Sequence, residues 1–271
     1  MRDQDRSGSL IDPRAVVSPE ARLAPDVRVG PFAVIGPHVT VGPGTEIGPH
    51  VIVRGPTRIG AGNRIFPFCA IGDEPQDKKY HGEETVLEIG DGNTIREYTT
   101  INRGTVQGGG VTRLGDDNWI MAYVHVAHDC ILGSHTILAN AVALAGHVAV
   151  DDWAILSASA KVHQFCRIGA HAFVGHDCGI VQDVPPYVMV AVRGAGEPPR
   201  PYGINSEGLG RRGFTPEVIA RIKEAYRVLY RENLRLEEAV AALEPRRAET
   251  PELGCLVDFL RGTTRGIVRG P

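Results

Sequence analysis

The sequence predicts an all-β solenoid, a parallel β-helix of hexapeptide repeats, with a C-terminal α-helical domain behind it. Three observations predict it. An aliphatic residue returns every six positions through most of the chain, glycine-proline pairs and small residues hold fixed places behind it, and after Ile180 the period changes to a helical one. A period of six is neither helical nor plain strand alternation; it suits a short strand followed by a tight corner.

From Ile11 the beats are Val17, Leu23, Val29 and on by sixes to Ile71. They return as Ile89, Ile95 and Ile101, and run again from Leu114 and Ile120 through Val126, Leu132, Leu138 and Leu144 to Ile180. Every beat is Ile, Leu or Val. Gly36-Pro37, Gly42-Pro43 and Gly48-Pro49 follow beats and favour turns. The position four after a beat is mostly small, as at Ala15, Ala21, Ala33, Thr45, Thr57, Cys69, Ala154 and Ala160, so large and small side chains can fill a narrow prism together. Stacked coils then bury a core that no single repeat could bury. Four of the five cysteines, Cys69, Cys130, Cys166 and Cys178, fall on that small position and read as apolar filler rather than a metal or redox set.

Two gaps interrupt the beat. Ile71 to Ile89 is three hexads, which suits three faces per coil with a loop extruded near Asp73 to Glu84; that loop carries Gln76-Asp77-Lys78-Lys79-Tyr80-His81. Ile101 to Leu114 holds Gly104 to Gly110, which reads as a flexible surface loop because no Walker lysine or strand-to-helix context follows. The β-helix is expected over 10–192. Pro185-Pro186 and Gly194 to Pro201 read as linker, and an α-helical domain is expected over 200–271. Thr215-Pro216-Glu217 is a helix start with proline at the first helical position. A second helix is expected near Leu236 to Leu243, and a third after Thr250-Pro251, ending before Gly262.

The 271 residues, 42% hydrophobic with net charge −3, exclude a dominant field that would draw the whole molecule to nucleic acid. No apolar run approaches the roughly 20 residues that span a bilayer, so no membrane insertion is expected. Met1 to Ser9 is polar and expected to be disordered, and no basic start leads into an apolar run, so the default is a cytoplasmic protein with reduced thiols.

The chemistry concentrates between beats. With 18 residues per coil, positions 128, 146 and 164 stack on one strip, with His147 and His163 as neighbours and coils about 4.8 Å apart. His125 sits half a hexad before His128. Three readings stay open on spacing alone: a general base with neighbours that bind substrate, a three-histidine zinc site, or incidental surface histidines. Asp129 is a possible partner that orients His128. His38, His50, His135 and His171 all lie three after a beat and read as corner or surface residues.

Longer motifs carry a resemblance. His125-Val-Ala-His128-Asp-Cys, Ala145-Gly-His147-Val, Val162-His-Gln-Phe-Cys166, Gln182-Asp-Val-Pro-Pro-Tyr187, Glu207-Gly-Leu-Gly-Arg-Arg-Gly213, the loop Gln76-Asp-Lys-Lys-Tyr80 and Ile101-Asn-Arg-Gly-Thr-Val-Gln-Gly-Gly-Gly110 resemble the UDP-N-acetylglucosamine acyltransferase family from Ile11 to Arg269. The resemblance implies a left-handed β-helix and a homotrimer with active sites between subunits. It implies transfer of a 3-hydroxyacyl group from acyl carrier protein to the glucosamine 3-hydroxyl of UDP-N-acetylglucosamine, the first step of lipid A biosynthesis. No cofactor and no metal are implied; the donor acyl group rides on the carrier's phosphopantetheine. By family match His128 is the base with Asp129 beside it, and the Gly146 N–H serves the oxyanion. Gln76, Asp77, Lys79, His125, His147, His163 and Gln164 surround the substrate. Asn205, Glu207, Arg211 and Arg212 match the nucleotide-binding end, where paired arginines suit a diphosphate.

Departures also carry expectations. Ser157-Ala158 stand where relatives usually have a glycine pair, and the chain from Val188 to Tyr202 is longer than the common pattern. His176, with Phe173 nearby, stands where relatives set acyl length, so a bulky imidazole implies a chain shorter than C14. From Arg200 onward 13 Lys/Arg face 10 Asp/Glu, a surface that suits an acidic carrier protein; Arg221, Lys223, Arg227, Arg231, Arg261, Arg265 and Arg269 are candidates. Four alternatives remain. The pathway's N-acyltransferase carries a uridine-binding domain ahead of its β-helix, for which a ladder starting at Ile11 leaves no room. A γ-class carbonic anhydrase would use the histidines for zinc but lacks the helical tail. A non-catalytic β-helix subunit would not need the histidine column. A family variant accepts a 3-amino UDP-sugar.

Overall fold

In the computed structural model, which describes residues 10–194 and 196–269, the repeats wind into a parallel β-helix and helices follow it. The polar segment 1–9, expected to be disordered, and residues 270–271 lie outside the described residues.

Each hexad contributes a strand of two to four residues, and the strands stack into three sheets. The first sheet runs from Val16–Val17 to Gly179–Ile180, the second from Arg22–Leu23 to Arg167–Ile168, and the third from Arg28–Val29 to Arg200–Ile204. All pairings between named strands are parallel except the last, where Val188–Ala191 meets Arg200–Ile204 antiparallel. Pairs such as Val126 with Leu144 and Leu144 with Val162 fix one coil at three hexads. The beats from Val29 to Ile180 are all buried, so the aliphatic column is the core.

Between sheets the chain turns at three columns of corners: the first between sheets one and two, the second between two and three, the third between three and one. The residue three after a beat adopts φ near +60°, at Phe32, His50, Asp129, His147 and His171 among others. Most are not glycine, and at the aromatic ones the cost of that conformation is offset by stacking from coil to coil. Phe32, His50, Phe68, Tyr98 and Tyr123 form one column with centroids 5.0–5.1 Å apart at the third corner. His135, Trp153, His171 and Tyr187 form another at the second. Three of the four histidines set aside as corner residues are therefore rungs of aromatic columns; the fourth, His38, approaches Glu20 at 3.3 Å.

The inward position four after the beat is small or apolar at most corners, and its four cysteines are buried thiols whose ionisation is pushed up by burial, to about 12 for Cys69 and Cys130. The second corner departs from the expected pattern. There five consecutive coils carry a polar residue at that position, and Thr45, Asn63, Asn93, Asn118 and Thr136 bond one to the next through backbone and side chain at 2.6–3.1 Å. Across these five coils each polar side chain accepts from the next coil, so most of the buried polar groups in the column are paired.

Both gaps in the beat open at the first corner. Ile71 belongs to the first sheet and Ile89 to the second, so the 18-residue step is one ordinary hexad plus an extruded loop. The step from Ile101 to Leu114 crosses the same corner one coil later.

Two of the four helices, the first and second, start on a side-chain cap. Helix α1 is Ser206–Arg211, α2 Pro216–Arg231, α3 Leu236–Leu243 and α4 Leu253–Arg261. Thr215 caps α2, its hydroxyl accepting from the Val218 N–H, with Pro216 at the first position. α1 escaped the sequence reading because two glycines sit in its six residues; its cap, Asn205 accepting from Gly208, was the available signal. Among the described residues no helix is long and apolar enough to cross a membrane.

Candidate active site

The second position after most beats lies where the β-ladder does not use a backbone N–H. In the early coils proline removes it, at Pro13, Pro19, Pro25, Pro31, Pro37, Pro43, Pro49 and Pro67. At the second corner a side chain from the next coil accepts it: Ala61 donates to Asp91, Asp91 to Asp116, Asp116 to Ser134 and Ser134 to Asp152, at 2.6–3.0 Å. At the first corner the same position is His128, then Gly146, then Gln164. Among the described residues none of their N–H groups has a partner.

His128 and Asp129 are adjacent at that corner. Asp129 turns through φ +60°, which swings its carboxylate back beneath the imidazole. His128 Nδ1 lies 2.7 Å from Asp129 Oδ2, with side chains 14% and 1% exposed. The carboxylate is held from below by the 104–110 segment: the Thr105 N–H donates to Oδ1 at 2.7 Å and the Thr105 hydroxyl to Oδ2 at 2.6 Å. The Asp129 N–H donates to Thr112 Oγ1 at 2.8 Å. A methyl group at Gly108 would fall 2.0 Å from the carboxylate carbon, so glycine there admits the aspartate. The segment read as a flexible surface loop is thus a shaped cradle, with Gly104 and Thr105 buried. Thr105, Gly108 and Thr112 are the functional residues that sequence reasoning missed. Their signal was the position of the glycine run one coil beneath His128, visible only once both gaps are assigned to one corner.

With two Thr105 donors on it, the carboxylate acts as an acceptor, so His128 meets it with a proton on Nδ1, which leaves the Nε2 lone pair free. The ring lies against Gly146: a Cβ at Gly146 would stand 2.5 Å from Cε1 and 2.8 Å from Nε2. One coil of glycine therefore leaves room for the imidazole and puts an unpaired N–H beside it. His147 stands edge-on to His128 at 5.2 Å between centroids, near the coil spacing, and stacks on Phe165 at 4.4 Å. His125 points outward from the first sheet, its Nδ1 2.7 Å from Thr100 Oγ1. Burial pushes both His125 and His147 below the ordinary histidine range. The neighbouring His128 adds to that at both, and Asp129 and Asp77 oppose it at His147. Asp77, on the 74–85 loop, is thus within electrostatic reach of the site; Gln76 and Lys79 are exposed on the same loop. His163 and Gln164 occupy the first corner one coil further on, exposed, with His163 Nδ1 donating to the Gln164 carbonyl at 3.1 Å.

His128, Asp129 and His147 offer ligand atoms within 4.8 Å of one another, a geometry that could hold a metal ion. The donor set fits an oriented imidazole better. Both Asp129 oxygens already accept hydrogen bonds, and His147 Nε2 is 3.7 Å from Oδ2, beyond hydrogen-bond range.

The remaining expected residues are not brought to this corner. Asn205 caps α1, and Glu207 pairs with Arg211 in solvent. Arg212 instead packs at the second corner, against Trp153 and His171. His176 is at the third corner beside a cavity of about 710 Å³ lined also by Asp177, Val181, Val192 and the 196–199 segment. Phe173 faces outward on the third sheet, half-buried. Of the basic residues proposed for a carrier protein, Arg221 and Arg261 pair with Glu224 and Glu244, and Arg265 and Arg269 donate to carbonyls. Lys223, Arg227 and Arg231 stay exposed.

Residues 183–268 match the family model described as UDP N-acetylglucosamine O-acyltransferase, domain 2, and residues 20–55 and 112–146 match the bacterial transferase hexapeptide model. The chain is 53% identical over 259 residues to the acyl-[acyl-carrier-protein]–UDP-N-acetylglucosamine O-acyltransferase of Thiobacillus denitrificans, covering 96% of this chain and 99% of that one. Among solved structures, the UDP-N-acetylglucosamine acyltransferase of Francisella novicida superposes with TM-score 0.94 at 47% identity, covering 96% of this chain and 94% of the other. LpxA of Acinetobacter baumannii gives 0.92 at 43%, covering 96% and 100%.

Proposed function

The chain belongs to the UDP-N-acetylglucosamine O-acyltransferase family, and from that premise we propose that it moves a 3-hydroxyacyl chain from acyl carrier protein to the glucosamine 3-hydroxyl of UDP-N-acetylglucosamine, the first step of lipid A biosynthesis, in the cytoplasm. His128 Nε2 takes the proton from the sugar hydroxyl as its oxygen attacks the thioester carbonyl. The tetrahedral oxyanion is met by the Gly146 N–H. Collapse breaks the carbon–sulfur bond, and the imidazolium returns its proton to the departing phosphopantetheine thiolate. Asp129 holds the Nδ1 proton throughout and stabilises the imidazolium. No covalent enzyme intermediate and no cofactor enter this scheme.

The observation that carries the reading is the first corner itself, where a free Nε2 and a free N–H share one spot above a cradled carboxylate. Gln76, Asp77, Lys79, His125, His147, His163 and Gln164 line the substrate path, and Asn205, Glu207, Arg211 and Arg212 serve the nucleotide end. The first set lies at and beside the first corner, and the second set lies on α1 and at the second corner, so a single substrate meets both sets where two copies of the chain adjoin. A homotrimer fits. The third corner exposes Phe32, Phe68, Tyr98 and Tyr123, and the first sheet exposes Val16, Val34 and Ile52, an apolar surface that self-association would cover.

The test is an acylation assay with UDP-N-acetylglucosamine and a series of 3-hydroxyacyl carrier proteins, with light scattering for the trimer. Product with wild type and a loss of about 10²–10⁴ with His128→Ala are expected. Full turnover by that variant, or product only with a 3-amino UDP-sugar, overturns the reading. With His176 in the length-setting place, the preferred chain is roughly 10 to 12 carbons and lengthens in His176→Gly; preference of the wild type for 14 carbons removes that part.

A further inference from the structure

Arg212 is half-buried, and among the described residues no carboxylate pairs with it. Its neighbour Arg211 is exposed and paired with Glu207, so two adjacent arginines have different surroundings. What holds Arg212 is neutral. Its Nη1 lies 3.1 Å from His171 Nδ1, and its guanidinium carbon lies 5.1 Å from the centre of the Trp153 ring. A guanidinium only donates, so His171 Nδ1 accepts and its proton sits on Nε2. The His171 ring is itself fixed, stacked on Tyr187 at 5.6 Å and met edge-on by Phe214 at 5.1 Å. Burial first, and Arg212 second, push its ionisation down to about 4 against a counter-pull from Asp152, so it stays a neutral acceptor at working pH. Asp152 is itself occupied, accepting from the Ser134 N–H at 2.8 Å.

We infer that His171 and Trp153 are positioning residues that hold Arg212 by a neutral acceptor and a ring face, leaving its charge uncompensated for an anionic group of the substrate. The inference rests on the reading above that Arg212 serves the nucleotide end, and it identifies the diphosphate as the group received. A carboxylate in place of His171 would orient the guanidinium equally well but would cancel its charge and compete with phosphate. The choice of histidine over aspartate is therefore functional.

Position 171 has φ +58°, a conformation that Asn and Asp both tolerate, so the two isosteric variants separate orientation from charge. His171→Asn keeps a neutral acceptor; its KM for UDP-N-acetylglucosamine is expected within about threefold of wild type. His171→Asp should raise that KM by roughly tenfold or more, with kcat and the KM for acyl carrier protein held. Trp153→Leu should raise it by about two- to fivefold, and Trp153→Phe should restore most of the loss. Thermal unfolding checks that each variant is folded. Equal KM values for the Asn and Asp variants, with Arg212→Gln clearly raised, overturn this inference alone. An unmoved KM in Arg212→Gln overturns it together with the reading of the nucleotide end.

Discussion

The early coils and the coils from Ile120 onward share one backbone and part at the second position after the beat. In the early coils the second residue after the beat is proline in eight corners, which deletes the unused N–H and stiffens the turn. At the first corner of the later coils that position carries His128 and Gly146, and the N–H stays open. A repeat fold needs its aliphatic beats and its αL corners everywhere, but the ladder leaves this one amide free of duty. One region uses the freedom for rigidity and the other for chemistry.

The largest expected effect comes from the later region. Asp129→Asn keeps a residue that tolerates φ +60° but loses the charge and the tautomer control of His128; kcat should fall by about 10²–10⁴ while circular dichroism is unchanged. Retained activity would mean that the carboxylate is only a corner residue like its counterparts. Gly146→Ala should cost about 10² in kcat, because the methyl group displaces the imidazole. Gly179→Ala, whose Cβ meets nothing within 4 Å, should be silent. If the two behave alike, contact with His128 is not what selects glycine at 146.

A pH experiment sharpens the comparison at the second corner. His171 has a folded-state pKa of about 4 against 6.5 for an ordinary histidine, so between those values the unfolded chain binds more protons. Stability is therefore full above about pH 6.5 and falls as pH drops toward 4. In His171→Asn that part of the slope should disappear from the pH dependence of Tm. The smallest effect belongs to the early coils: Pro31→Ala should lower stability by about 0.5–1 kcal/mol, read by denaturant midpoint, with kcat unaltered.

The hexad beat was legible because burial in a narrow prism leaves no alternative to Ile, Leu or Val at those positions, and the helical tail was legible where Thr215 and Thr250-Pro251 announced starts. His128 and Asp129 were legible as residues that the beat does not require. The polar column Asn63, Asn93 and Asn118 was not, since an amide in an apolar slot makes sense only when another amide lies one coil above. Nor was the cradle of Thr105 and Gly108, whose partner Asp129 lies more than twenty residues away.

The sequence by itself determined the coil, its period and the chemistry available along one strip, since these follow from local pattern and side-chain type. Only the tertiary structure decided which corner each gap opened on, which loop cradled the carboxylate, and that Arg211 and Arg212 part company. Those outcomes depend on which residues stack across coils, and contacts between coils are set by the winding of the whole prism rather than by any stretch within it.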